Sequence, residues 1–346
     1  MGLLRLFRRK QKWVLGIILI IFVVYRFTYH ESESEPSGRK LKNTGGVSVF
    51  DYDRYLFAKS LNPIPEDSCL LINPNGVPYH VCIHKIEEDI YISDSIRNGW
   101  SWEPILSRHI GSFLDQGGWN SILVDIGANI GIHSLFAAKL GHRVFAVEPL
   151  DVNLVKMFHA SLLDGTSNSM TILENAIDMY EHEAIIQKNV ENLGGSYLTP
   201  QIHGLDQLNP NTVHIPAVRL VQILHLISNH TTQTERQTVV MKMDIEKYEC
   251  RAFLGSSEIF DIPNLYVSHI VMEWRFADRS KGSIVMYPPS CPETMLEDLI
   301  NLFNDHDYYP FSDDLDLLEA SEAMGWTKDV IWAHKDTQLV QELNLF

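Results

Sequence analysis

Basic residues are scarce in this sequence, and their scarcity argues against nucleic acid as a partner. The 346 residues include 28 Lys and Arg against 44 Asp and Glu, which gives a formal net charge of −16 at pH 7. Such a surface repels phosphate groups unless a basic patch is segregated from the acids. No basic patch appears beyond the first dozen positions. We therefore expect no nucleic-acid partner.

Internal repeats and heptad patterns are also absent, so nothing in the sequence indicates a solenoid or a coiled coil. A wholly disordered or collagen-like chain is excluded too, because 45% of the residues are hydrophobic and 21% are charged. The length fits two domains or one large α/β domain with appendages.

Long uncharged runs are missing except near the N-terminus. Residues 1–12 carry five basic residues and no acid, and residues 13–25 carry no charge. A spanning helix needs about 20 residues, but Arg26 can extend toward the headgroups, so that residues 13–29 suffice. We interpret residues 1–12 as a basic cytosolic tail and residues 13–29 as an uncleaved signal anchor. A cleaved signal peptide is the alternative.

A basic flank that stays in the cytosol places the rest of the chain on the lumenal side. The sequence thus predicts a single-pass type II membrane protein of the Golgi or endoplasmic reticulum. Residues 30–60 open with a polar run that is rich in Ser, Glu and Gly, which is typical of a flexible stem. Asn229 begins a glycosylation sequon in a polar stretch that we interpret as a surface loop.

The four cysteines fit an oxidising lumen, where disulfides form. They are Cys69, Cys82, Cys250 and Cys291, and they allow three pairings. We favour Cys69–Cys82, which closes a short loop. A zinc site in which His80 and His84 join these two cysteines is the alternative.

Apolar runs broken by Pro and Gly predict an irregular subdomain over residues 61–120. From residue 121 on, strands and helices alternate with short connections, which indicates βαβ units and a parallel sheet. The predicted strands are residues 121–127, 143–147, 170–173, 183–187, 214–219, 238–243, 266–273, 308–311 and 330–334, with a late helix at 295–303. We predict one open, doubly wound, mostly parallel sheet within residues 121–340.

The turn after the first of these strands is the most informative motif. It has the pattern G-x-N-x-G, from Gly127 to Gly131, with Asp125 two residues before the first glycine. A dinucleotide site requires a third glycine, so the pattern disfavours a dehydrogenase. An acid here repels phosphate but suits the ammonium and sulfonium charges of S-adenosylmethionine. The two glycines let the backbone approach a ligand.

A second carboxylate follows the next strand. Glu148 lies 21 residues after Gly127, and an acid at about that offset can accept hydrogen bonds from both ribose hydroxyls. Because the carboxyl ends of parallel strands meet at one edge, we expect this acid beside the glycine turn. Together the two features predict a nucleoside-binding crevice.

Four segments together resemble the FkbM-type methyltransferase family: residues 125–134, 147–149, 175–177 and 241–246. The resemblance implies a class I methyltransferase (Rossmann-like) fold, S-adenosylmethionine as cofactor, and methylation of oxygen on sugars or other small molecules. It also implies a loop beside the active site at residues 192–196. The family most often has Gly after Glu246, where this chain has Lys247-Tyr248.

Carried over residue by residue, the resemblance assigns the cofactor contacts. It places Asp125, Gly127, Asn129 and Gly131 around the methionine part, Glu148 on the ribose, and Ala176 and Ile177 near the adenine. His133, at the start of the following helix, is a further candidate, although it could equally be an ordinary helix-start residue.

An alcohol acceptor must lose its proton, which requires a nearby base or metal. Asp244 ends a strand beside the expected cofactor and is our first choice for the base, with Glu246 and Glu273 as second choices. Asp244 and Glu273 could instead hold Mg²⁺, although no motif requires a bound metal. Ordinary strand-end carboxylates are the simpler alternative.

The sequence thus predicts an anchored methyltransferase that modifies a glycan or a small molecule on the lumenal side. Two other functions stay open. One is a non-catalytic binding module on the same fold, and the other is a lumenal glycosyltransferase with a metal-binding Asp-x-Asp.

Overall fold

The structure is a computed structural model that describes residues 46–51, 68–199, 209–231, 236–274, 291–292 and 294–343. The predicted tail and anchor, and residues 30–45 and 52–60 of the predicted stem, lie outside these ranges. Among the described helices, none combines the length and the apolar character that a membrane crossing needs. The anchor therefore stays a prediction.

The largest sheet is a mixed sheet of seven strands, and all seven are among the nine strands that the sequence predicts. In spatial order the strands are β12 (Tyr308–Phe311), β13 (Asp329–His334), β11 (Leu265–Glu273), β10 (Gln237–Met243), β3 (Ile122–Ile126), β4 (Arg143–Val147) and β5 (Met170–Leu173). The five strands from β11 to β5 run parallel, whereas β13 and β12 are antiparallel additions at one edge.

The central strands are apolar because both faces of the sheet are covered. All five residues of β3 are buried. Helices α3 (Ile132–Lys139) and α4 (Asp151–Leu163) are the crossovers from β3 to β4 and from β4 to β5. The carboxyl ends of β3, β4 and β10 consequently meet at one edge, where the predicted site residues follow each strand.

The prediction of a single sheet was wrong. The strands near residues 183–187 and 214–219 lie in a separate four-stranded sheet of β6 (Ala176–Ile177), β9 (Thr212–Val218), β7 (His182–Gln187) and β8 (Tyr197–Thr199). Strand β7 pairs antiparallel with both β8 and β9. Antiparallel strands can follow one another through turns, without the crossover helix that a further strand of the parallel sheet needs. This second sheet carries the loop at residues 192–196.

The segment before residue 121 is more regular than its composition indicates. It contains the hairpin β1 (Cys69–Ile72) and β2 (Tyr79–Cys82), α1 (Ile92–Arg97) and the 13-residue α2 (Pro104–Gln116). Helix α2 packs on the main sheet, where the Phe113 ring stacks on His269 with centroids 3.9 Å apart. Residues 46–51, the described part of the predicted stem, also contact the main sheet: the N–H of Phe50 donates to the Ile172 carbonyl at the β5 edge.

Both disulfides and the sequon can be placed. Cys69 pairs with Cys82, as we predicted, and Cys250 pairs with Cys291. The zinc alternative at Cys69 and Cys82 is therefore excluded. The loop prediction for Asn229 was wrong, because this exposed residue lies in the last turn of α5 (Leu220–His230). Helices α6 (Glu249–Leu254), α7 (Thr294–Asp305) and α8 (Gln338–Gln341) complete the described chain.

Candidate active site

A cleft of about 840 Å³, open to solvent, lies at the carboxyl ends of β3, β4 and β10. Ligands bind at this edge in open α/β sheets. Its walls come from the turns after these strands, from the second sheet and from the segment before α2. The lining residues are 92, 102–103, 126–129, 132–133, 147–150, 153, 175–177, 186, 193–194, 196, 198, 242 and 244–246.

The glycine turn is held by the protein itself. Gly127 has φ +77°, and a Cβ built there would lie 1.8 Å from the Asp244 carbonyl oxygen. Gly131 has φ +89°, and its Cβ would lie 2.5 Å from Met157 Cγ. These glycines are therefore needed for close packing between strand ends and helices, and not only for ligand approach as the sequence suggested. Of Gly127 and Gly131, only Gly127 lines the cleft.

Asn129 connects the turn to the opposite wall of the cleft. It adopts φ +53°, and its side-chain oxygen accepts the N–H of Ile130 at 2.8 Å. A Cβ on Gly194 would lie 2.4 Å from Asn129 Nδ2. The Asn/Gly/Ser loop thus reaches the turn only because Gly194 has no side chain.

Glu148 is the buried carboxylate of the second turn and lines the cleft. Its Oε2 accepts the N–H of Asn129 at 3.0 Å, and its Oε1 accepts from Leu150 N–H at 3.0 Å and Asn153 Nδ2 at 3.1 Å. Burial raises the pKa of Glu148, and these hydrogen bonds limit the rise. A carboxylate offers about four acceptor positions, so a ligand hydroxyl can still be bound.

Asp125 lies below the cleft and does not line it. Its side chain is fully buried, and its Oδ2 accepts the Ser134 hydroxyl at 2.6 Å. Among the described residues its Oδ1 has no hydrogen-bond partner, and Lys242 Nζ lies 4.0 Å away. From this position Asp125 would act on a ligand in the cleft through its charge. A direct contact with the cofactor stays a prediction.

Asp244 is the carboxylate at the end of β10, and its side chain is 28% exposed to the cleft. Its Oδ2 lies 3.4 Å from Lys242 Nζ. Glu246 lines the same wall, whereas Glu273 is buried at the end of β11, outside the lining, and pairs with Lys328 at 3.5 Å. Of the three predicted catalytic carboxylates, the structure thus brings two to the cleft.

The backbone conformation of Lys247 explains why the family most often has Gly after Glu246. Glu246 and Lys247 have φ of +54° and +76°, both in the left-handed region that favours glycine. Tyr248 follows as a buried residue, and its hydroxyl donates to the Leu198 carbonyl at 3.2 Å. The turn after Asp244 is therefore fastened to the second sheet.

Sequence reasoning missed a second group of charged residues at the cleft. Glu103, at the start of α2, has φ +43°, and its Oε2 lies 3.3 Å from His133 Nε2. The Ser107 hydroxyl lies 3.0 Å from His133 Nδ1. Both ring nitrogens of His133 therefore have protein partners, although the residue lines the cleft as we predicted for a cofactor neighbour.

The ionisation of Glu103 follows from its neighbours. Burial alone would raise the pKa of Glu103, but the hydrogen bond from His133 and the charge of Lys328 outweigh burial and lower the pKa to about 2. A carboxylate is therefore present at the mouth of the cleft at neutral pH. No sequence pattern indicates that Glu103 lies at the cleft. Its positive φ is visible only in the structure.

The comparisons with known proteins agree with this geometry. Residues 125–310, more than half of the chain, match the model of the methyltransferase FkbM domain. The chain belongs to the FkbM methyltransferase family. No curated protein matches it.

Three solved structures show how distant its structural relatives are. WbdD, described as a bifunctional kinase-methyltransferase, is 8% identical with a TM-score of 0.38 over 73% of this chain and 45% of its own. An O-methyltransferase from Bacillus cereus in complex with SAH is 10% identical, with a TM-score of 0.36 over 67% of this chain and 81% of its own. Magnesium protoporphyrin IX methyltransferase from Synechocystis PCC 6803 with bound SAM is 11% identical, with a TM-score of 0.32 over 70% of this chain and 84% of its own. The FkbM chain spans less than half the length of WbdD.

Membership of the FkbM family implies S-adenosylmethionine, and the cleft fits this molecule. Glu148 faces the turn after β3 and keeps an acceptor position for a hydroxyl. Ala176 and Ile177 provide buried apolar surface in the same wall, as an adenine ring requires. These residues would hold the nucleoside.

Mg²⁺ is not indicated at this FkbM site. Asp244, Glu249 and Glu273 each offer one carboxylate oxygen within 4.8 Å of the others, and such oxygens suit Mg²⁺. However, the ammonium groups of Lys242 and Lys328 already lie beside Asp244 and Glu273. The Oε1 of Glu249 accepts the Ile245 N–H at 2.8 Å. The two ammonium groups thus already neutralise part of the negative charge of this cluster.

Proposed function

We propose that this chain is an S-adenosylmethionine-dependent methyltransferase that methylates a hydroxyl oxygen of a glycan or small molecule. The supporting observation is the single cleft in which the glycine turn of β3, Glu148 after β4 and Asp244 after β10 face one another. When bound, the cofactor supplies an activated methyl group on a positively charged sulfur.

Each residue has a separate task in the proposed reaction. Glu148 accepts a hydrogen bond from a ribose hydroxyl, and the apolar side chains of Ile92 and Trp102 line the same cleft. Asp244 accepts the proton of the acceptor hydroxyl, because it is a partly exposed carboxylate of the cleft wall directly after β10. Holding the acceptor in line with the methyl group provides most of the rate.

We also propose that the reaction takes place in the lumen, behind an anchor at residues 13–29. The two disulfides support this location, because disulfides persist in oxidising compartments. Fractionation after alkaline extraction, and protease protection of the folded domain in intact vesicles, test the anchor and its orientation. A domain that alkaline extraction releases would contradict the anchor.

Tritiated-methyl labelling tests the activity. The full-length protein is incubated with methyl-labelled S-adenosylmethionine and with fractionated lumenal glycans and metabolites. We expect label in one fraction and a product heavier by about 14 Da, the mass of one methyl substitution. The Asp244→Asn variant is the matched control.

Calorimetry with the same protein separates the proposal from its alternatives. S-adenosylmethionine should bind, and a nucleotide sugar should not. Cofactor binding without transfer to any fraction would favour a binding module. Binding of a nucleotide sugar in place of the cofactor would favour a glycosyltransferase.

A further inference from the structure

Lys242 is a buried lysine in the wall of the cleft, and the proposed reaction does not use it. Its side chain is 8% exposed. Its ammonium donates to the Gly127 carbonyl at 3.2 Å and lies 3.4 Å from Asp244 Oδ2 and 4.0 Å from Asp125 Oδ1. One cation therefore touches the glycine turn and both carboxylates that flank it.

The position of Lys242 follows from the sheet. Lys242 and Asp125 are register partners on the parallel strands β10 and β3, so their side chains leave the same face. Met241 and Met243, the two residues that flank Lys242 in β10, are both apolar. A charged residue here is buried only because its partners are charged as well.

The charges that face Lys242 come from four elements. They are Asp125 on β3, Asp244 after β10, Glu103 before α2 and Glu273 at the end of β11. Lys328 pairs with the last two. Burial alone would lower the pKa of Lys242, but these carboxylates outweigh burial and raise it. Lys242 is therefore a cation at neutral pH.

A buried cation at this place has a consequence for ligands. S-adenosylmethionine carries a positive sulfur, whereas the product S-adenosylhomocysteine carries a neutral thioether. In a site of reduced dielectric, a charge several ångströms away changes the affinity for a cation by about tenfold or more. The charge of Lys242 thus lowers the affinity for S-adenosylmethionine and hardly changes the affinity for S-adenosylhomocysteine.

We propose that Lys242 is a positioning residue of the methyl-transfer site. Its ammonium joins the Gly127 carbonyl to the Asp244 carboxylate and sets the preference of the site between the cationic cofactor and the neutral product. This inference rests on the proposed function, because it assumes that the cleft binds both molecules.

The test compares the affinities of the two ligands in matched variants of the full-length protein. Lys242→Met keeps the apolar stem and removes the charge, and Lys242→Arg keeps the charge. Lys335→Met removes a lysine that pairs with Asp307 at the antiparallel edge of the sheet, at 2.6 Å. The dissociation constants for S-adenosylmethionine and S-adenosylhomocysteine are measured by calorimetry at pH 7.5.

We expect the Lys242→Met variant to favour the cationic ligand by about tenfold more than the wild type does. The ratio of the two constants should stay near the wild-type value in Lys242→Arg and Lys335→Met. A packing role alone would weaken both ligands equally and leave the ratio unchanged. The ratio is therefore the decisive measurement.

An unchanged ratio in folded Lys242→Met overturns the inference and leaves the proposed function intact. A wild-type protein that binds neither ligand overturns both. If Lys242→Met does not fold, Lys242→Gln takes its place, because the amide can still donate to the Gly127 carbonyl while the charge is lost. The same shift in ratio is expected, and its absence is equally decisive.

Discussion

The two ends of the cleft use carboxylates in different ways. At one end, Glu148 is buried and held by N–H groups of Asn129, Leu150 and Asn153. At the other end, Asp244 is partly exposed and lies beside the ammonium of Lys242. Hydrogen bonds from neutral groups leave a carboxylate able to accept further hydroxyls, whereas a neighbouring lysine balances charge. The first end thus suits a ribose, and the second suits a reaction in which charge changes.

Gly127 belongs to both ends, and replacing it should have the largest effect. Gly127→Ala places a Cβ against the Asp244 carbonyl at a φ of +77°. We expect a loss of more than about 3 kcal/mol in the free energy of unfolding, because neither backbone can move away cheaply. Urea unfolding followed by circular dichroism measures it.

Gly118→Ala is the matched control for that experiment. Gly118 has φ +84° but nothing within 4 Å of its Cβ position, so only the backbone strain of about 1–2 kcal/mol remains. Equal losses in the two variants would show that the contact between the turn and β10 is unimportant.

Asp244→Asn tests the charged end. The amide keeps the shape of the side chain and cannot accept a proton, so we expect a fall in kcat of about 100-fold or more. The affinity for S-adenosylhomocysteine should change only a few-fold, because this ligand has no charged sulfur. Tritium transfer and calorimetry provide the two numbers, and full activity would remove Asp244 from the role of base.

Glu148→Ala tests the other end. The variant loses a charge-assisted hydrogen bond to the ribose, and we expect cofactor affinity to fall about 100-fold, or about 3 kcal/mol. The affinities for the cationic cofactor and for the neutral product should fall by the same factor, since both molecules carry the ribose. A dissociation constant equal to that of the wild type would exclude Glu148 from the site.

Glu249→Gln should have the smallest effect of these substitutions. Its effect on the stability of the fold should depend on pH. Burial raises the pKa of Glu249 from 4.5 to about 8 beneath the Asp244 turn. Folding thus favours the protonated acid, and this contribution is complete below pH 4.5 and lost as the pH rises through 8. The glutamine keeps an oxygen for the Ile245 N–H and does not titrate.

Thermal unfolding at pH 5 and at pH 8.5 measures this difference. We expect the Tm of Glu249→Gln to exceed that of the wild type by a few degrees at pH 8.5 and by less at pH 5. A Tm advantage that is equal at both pH values would mean that Glu249 is not titrating in the folded protein.

Local patterns were sufficient for the parts of the site that follow a strand. Gly127, Glu148 and Asp244 each come directly after a short apolar run, and parallel pairing brings such positions to one edge. The same reasoning failed for the second sheet, because a strand's partner is not encoded in its own alternation. It also could not reveal α2, whose Glu103 and Ser107 reach His133 across 30 and 26 residues of sequence.

The cysteines show the same division. Cys69 and Cys82 lie 13 residues apart on a hairpin, so their spacing was enough to suggest the pair. Cys250 and Cys291 are 41 residues apart, on either side of a strand and a long connection. Only the packing of α6 near the start of α7 brings them together.

By itself, the sequence determined the strands of the main sheet, the glycine turn and the two strand-end acids, because periodicity and turn chemistry act over a few residues. The tertiary structure decided which charges meet. Lys242 is one unremarked residue in an apolar strand until the register of β10 against β3 places it between Asp125 and Asp244. Electrostatic energy depends on distance in space, and folding alone sets that distance.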